Sequence, residues 1–170
     1  MILIVFYLKP YRSVIMKSKI LFSFFLFLFL FANPVGSSAH ESFMGQLLYV
    51  PVYSHIYIGD SDRPFLLSVT LSIRNTSRSD KIRVTQVDYY DSNGNLLKKY
   101  VDKPVEIKEF SSIKYVVRQS DKEGGSGAKF LVRWESSKRV SAPVVESIMI
   151  GASSQQGISF SSIGQELEKH

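Results

Sequence analysis

Between Gln46 and Ile58 the chain sets four ring-bearing side chains, Tyr49, Tyr53, His55 and Tyr57, among apolar ones. In one extended segment Leu48, Val50, Val52, Ile56 and Ile58 would share a face and the four rings the other, with Pro51 between them. Tyrosine offers a flat apolar body and a hydroxyl, which suits a sugar or a protein surface, so the four rings are a candidate binding surface. The plainer reading is that both faces are buried, or that the tyrosines pack beneath a loop. Pro51 lacks a backbone donor and fits a strand edge or a bulge.

Catalytic and metal chemistry finds little to work with. His55 stands near Asp60 and Asp62, but a lone histidine beside turn aspartates is more often a hydrogen-bonded surface group. The other histidines, His40 and His170, are expected at disordered ends. Asp60 and Asp62 offer only part of a calcium shell, and Asp91-Ser-Asn-Gly94 lacks the spacing and downstream glutamate of a calcium loop. Gly124-Gly125-Ser126-Gly127 superficially resembles a phosphate loop, yet the adjoining Gly-Lys-[Ser/Thr] and the following helix are missing. Asp121–Ala128, which contains it, is expected to be the most flexible stretch, and Gly124–Gly127 remains a candidate binding loop. No Gly-x-Ser-x-Gly elbow occurs. The chain has no cysteine, which removes disulfides, thiol nucleophiles and thiolate metal sites. No cofactor and no metal site are expected.

The leader carries compartment information. Lys17 and Lys19 precede thirteen residues from Ile20 to Ala32 that are apolar apart from Ser23. Asn33, Pro34 and Gly36 follow, then Ser37-Ser38-Ala39, small residues of the kind a signal peptidase reads. Residues 1–39 are therefore expected to be a cleavable signal peptide, cut between Ala39 and His40, with 1–15 an extension upstream of a start at Met16. A run of thirteen residues falls short of the roughly 20 needed to span a bilayer. The membrane is expected to be met only through this transient segment, and the product to be periplasmic or secreted.

Charge tells the same story. Lys9, Arg12, Lys17 and Lys19 are the only charged residues before position 40, so removing that segment lowers the net charge from +6 to +2. No basic run survives, which argues against a nucleic-acid partner.

The elements that must position these side chains read as strands. Phe65, Leu67, Val69, Leu71 and Ile73 alternate with mostly polar residues, and Ile113, Tyr115 and Val117 repeat the pattern. So do Phe130, Val132 and Trp134, which places Trp134 in the core. Val144–Ile150 and Gly157–Phe160 are further β-prone runs. Between Lys81 and Asp91 the parity changes, from Ile82 and Val84 to Val87 and Tyr89, which predicts a β-bulge near Thr85–Gln86. Asp91-Ser-Asn-Gly-Asn95 predicts a hairpin turn. Ile163–His170 is expected to form no more than a single helical turn. The spacing predicts one all-β domain over 40–170, an antiparallel sandwich of about eight strands.

Two resemblances follow from particular residues. Ile73-Arg-Asn-Thr-Ser77, Val87-Asp-Tyr-Tyr-Asp-Ser-Asn-Gly-Asn-Leu96 and Ile113-Lys-Tyr-Val-Val117 resemble the strand pattern of bacterial immunoglobulin-like surface domains. Tyr49–Tyr57, Leu71–Thr76, Val87–Asp91, Gly124–Ala128, Met149–Gly151 and Gln156–Phe160 resemble domain of unknown function 3124, an exported bacterial family. That resemblance implies export and brings no catalytic residue. The leading expectation is a non-catalytic module binding a protein or a cell-envelope component. The alternatives are a hydrolase using His55 with a loop carboxylate or serine, and a purely structural domain of an assembly.

Overall fold

Leu67, Val69, Leu71 and Ile73, inward members of the clearest alternation, have no solvent exposure, and the strand that carries the last three is an inner strand of one sheet. The computed structural model describes residues 41–60, 62–153 and 156–170. The expected signal peptide, its cut at Ala39–His40 and the extension 1–15 lie outside the described residues.

Every described pairing is antiparallel. One sheet orders β12 (Gln165–Lys169), β1 (Ser42–Pro51), β9 (Lys129–Ser141), β5 (Ile82–Tyr90) and β6 (Leu96–Lys99), with β7 (Val105–Ile107) also on β5. A second orders β11 (Gln156–Ile163), β10 (Val144–Ser153), β4 (Ser68–Arg74) and β8 (Ser112–Val117). The short strands β2 (His55–Tyr57) and β3 (Pro64–Leu66) form a separate hairpin. Among the described residues these are twelve strands where about eight were expected, because three-residue strands carry too few residues to show a period. The tail is also a correction: it forms β12, not a helical turn, since Gln165–Tyr49 through Lys169–Gln46 pair along β1. His170 is not loose either, as its backbone bonds both Gly45 and Met44.

Residues from both large sheets meet in one apolar cluster, in which Val84, Val87, Phe130 and Val132 have no exposure and Trp134 has 1%. Each such side chain contributes about 1.5–3 kcal/mol of burial. The predicted bulge is present: Val84 faces Trp134 while Gln86 faces Arg133, leaving Thr85 as the extra residue. That insertion returns Val87 and Tyr89 to the core side. The hairpin turn also forms, with Gly94 at φ 87° and Asp91 Oδ1 accepting from the amides of Asn93 and Asn95. Opposite Phe43–Gly45, β9 carries extra residues, since Phe43 pairs with Val140 and Gly45 with Glu135.

Asn75, 3% exposed, closes the turn after β4. Its Nδ2 donates to the carbonyls of Asp80, Ile107 and Lys108, and its Oδ1 accepts from the Ser77 amide.

Candidate functional site

The extended segment carrying the aromatic residues does not stay one strand. β1 stops at Pro51 and β2 starts at His55, so the alternation breaks at Val52–Ser54. Pro51 sits where β1 has lost β12 as a neighbour and keeps only β9, which suits a residue without a donor. Leu48, Val50 and Val52 are buried as expected, but Ile58 is 42% exposed, because the hairpin lifts it off the core.

The four ring residues consequently separate. Tyr49 lies half-buried on β1, opposite Leu131 on β9 and Gln165 on β12. Tyr53 packs edge-on against Phe160 of β11 at 5.5 Å between centroids. His55 and Tyr57 remain together on β2, their rings edge-to-face at 5.3 Å, with Tyr57 54% exposed. Tyr57 and Ile58 thus form an exposed apolar pair at the tip of the β2–β3 hairpin.

The glycine loop is held far more firmly than its composition predicts. Ser54 Oγ accepts from the Gly125 amide at 2.8 Å, and the Ser54 amide donates to the Gly125 carbonyl at 3.0 Å. Ser92, in the β5–β6 turn, completes the clamp from the other side. Its Oγ accepts from the Gly127 amide at 2.9 Å and donates to the Gly124 carbonyl at 3.0 Å. The Ser92 amide also donates to the Gly124 carbonyl, and Lys129 Nζ reaches the Asp91 carbonyl. Serines scattered along the chain gave no sequence signal of this role. Two of the glycines are required by space and conformation. A Cβ at Gly124 would stand 1.9 Å from Tyr89 Oη, and Gly125 has φ +80°. Ser126 remains exposed at the loop tip.

Among the described residues, His55 Nδ1 and Tyr89 Oη are the buried side-chain polar atoms without a hydrogen-bond partner. Tyr89 is 1% exposed, and burial pushes its phenol well above the ordinary value of 10.0, reinforced by the charge of Asp121. Ser54 is near enough to temper that shift, but its hydroxyl is committed to the Gly125 backbone.

At the same end, Gly151 packs under the β3 backbone, since a Cβ there would stand 2.6 Å from the Leu66 carbonyl oxygen. Most of the segments that carry the family resemblance therefore converge: Tyr49–Tyr57, Val87–Asp91, Gly124–Ala128, Met149–Gly151 and Gln156–Phe160 meet through these contacts.

A cleft of about 750 Å³ lies elsewhere, at the Gly45–Glu135 end of the six-stranded sheet. Its walls include Lys81, Arg83, Glu106, Arg133 and Glu135. These charges are largely mutually satisfied, through Arg83–Glu135, Lys81–Glu106 at 2.7 Å and Arg133–Glu168 at 3.1 Å. Lys81 accordingly holds the Glu106 carboxyl below its ordinary value. None of His55, Asp60, Asp62 or Gly124–Gly127 lines this cleft. Among the described residues no three His, Asp or Glu side chains cluster as metal ligands.

The described chain is thus an all-β protein of antiparallel sheets, with an aromatic hairpin and a braced glycine loop at one end. Residues 45–167 match the family described as protein of unknown function (DUF3124), and the chain belongs to that family. No curated protein matches it. A crystal structure of Thermotoga maritima 1070 is similar at 16% identity, over 74% of this chain and 97% of that one, with a TM-score of 0.41.

Proposed function

We propose that the protein is an exported, non-catalytic binding module that holds a protein or cell-envelope partner at the end formed by β2–β3 and the glycine loop. The observation that carries this reading is the exposed pair Tyr57–Ile58, 54% and 42% accessible, on a hairpin braced at its base. The Ser54–Gly125 bonds and the Leu67 amide on the Ser54 carbonyl fix that base. A recognition surface on a preorganised support loses less entropy on binding. Tyrosine supplies contact area together with a hydroxyl for a polar partner. The separation of His55 from the cleft supports a binding role over a hydrolase.

Export rests on the leader of residues 1–39. The immunoglobulin-like reading of the fold draws on strand positions. The pairs β4–β8 and β5–β9, with β6 beside β5, correspond to B–E and C–F with a following C′. β1 and β10 then occupy the flanking places of G and A, an exchange of edge strands relative to that plan.

The test is a binding titration of the purified protein against a panel of envelope glycans and periplasmic extract. Saturable binding that Tyr57→Ala and His55→Ala abolish is the expected result. Binding indifferent to both substitutions, or none to any component, would refute the assignment. Tyr53→Ala serves as a packing control, because Tyr53 supports Phe160.

A further inference from the structure

β11 is an open edge of the four-stranded sheet: among the described residues it pairs with β10 alone. An open edge presents unpaired N–H and C=O groups, and folded chains blunt such edges with charge, proline, bulges or cover. Other open edges of this fold carry those devices. β12 has Glu166, Glu168 and Lys169, β6 has Lys98 and Lys99, and β7 has Glu106. β8 has Lys114, and its Val116 carbonyl already accepts from the Tyr100 hydroxyl at 3.2 Å. β11 has no charged residue and no proline, and its eight successive pairs with β10 run without a register shift.

We propose that β11 pairs antiparallel with β11 of a second copy of this chain, about a twofold axis at Phe160, so that the two four-stranded sheets become one. This inference goes beyond the binding role above and does not rest on it. Near a twofold axis across paired strands, each residue faces a close sequence neighbour from the same strand, so a charged edge would repel its own copy. β11 is free of that penalty.

The side-chain sizes also match. With Phe160 opposite Phe160, Ser159 lies opposite Ser161, Ile158 opposite Ser162 and Gly157 opposite Ile163. Opposed residues then fall on the same face, as a continuous sheet requires. Ile163 is 71% exposed, while a Cβ built on Gly157 would meet nothing within 4 Å. The isoleucine of one copy therefore finds open space over the glycine of the other. Phe160, half-buried against Tyr53, gains the same ring of the second copy as a lateral neighbour.

Sedimentation equilibrium of the purified protein over a concentration series tests this, with a reversible dimer expected. Ser159→Lys combined with Ser161→Lys sets like charges opposite one another on both sides of the axis and raises the dissociation constant by about tenfold or more. Ser159→Lys combined with Ser161→Glu sets opposite charges there and restores association. Both serines are exposed, so neither double variant disturbs the core. A monomer at every concentration would overturn the proposal. So would a dimer indifferent to the Lys/Lys pair, or one that the Lys/Glu pair fails to restore.

Discussion

Replacing Gly124 by alanine adds one methyl group at the point where the glycine loop crosses Tyr89. The new Cβ would lie 1.9 Å from Tyr89 Oη, 2.8 Å from its Cζ and 3.0 Å from the Ala128 Cβ. Gly124 is not among the residues with positive φ, so alanine meets no backbone strain and the effect is steric. Tyr89 has no room to retreat: its ring packs against Phe130 at 5.1 Å and is 1% exposed. The loop must therefore move, loosening the bonds that Ser54 and Ser92 make to Gly124, Gly125 and Gly127. Overpacking of this kind costs about 1–3 kcal/mol, which at about 4 °C per kcal/mol lowers the melting temperature by roughly 4–12 °C. Tyr89→Phe behaves oppositely. It deletes a buried hydroxyl that has no partner, and is expected to leave stability unchanged or raise it by about 1 kcal/mol. In that background Gly124→Ala should cost less, giving a coupling of about 1 kcal/mol in a double-mutant cycle. Urea denaturation of the four proteins measures it. Additive effects, or a neutral Gly124→Ala, would refute the steric account of this loop.

Gln46 bridges two strands, accepting from Trp134 Nε1 at 3.2 Å and donating to Glu166 on β12. Gln46→Leu strands a buried indole N–H and should cost about 1–3 kcal/mol, read as a lower urea midpoint. Acid should also weaken the fold. Hydrogen bonds from Asn95 hold the Asp91 carboxyl below its ordinary 3.8, as Ser79 and Lys138 do for Asp80. The unfolded chain protonates these groups first, so their contribution is complete above pH 3.8 and lost as pH falls through the lowered folded values. Urea midpoints followed down to about pH 2 should fall along that limb, and less steeply in Asp91→Asn.

The fold was legible wherever a side chain's direction followed from period two. Leu67 to Ile73 and Phe130 to Trp134 were readable as inward faces, and the parity change at Thr85 revealed its bulge. Short strands such as β2 and β7 were not legible, because three residues show no period. β12 was missed since all its positions are exposed, so no apolar face marks it. At the candidate site, Tyr57 and His55 were proposed from residue type alone. The bracing of the glycine loop was not, because it depends on Ser54 and Ser92, 38 residues apart in sequence and joined only through Gly124–Gly127. Composition predicted a flexible loop, whereas backbone bonds to distant serines define this one.

The most direct test of the binding account compares Tyr57→Ala with Lys81→Ala, a substitution in the charged cleft at the other end of the six-stranded sheet. Both are exposed and should leave the unfolding free energy from urea denaturation within about 0.5 kcal/mol of the parent. The account predicts that binding to envelope glycans or a periplasmic component is lost in Tyr57→Ala and kept in Lys81→Ala. Binding kept in Tyr57→Ala and lost in Lys81→Ala would contradict it and move the functional surface to the cleft.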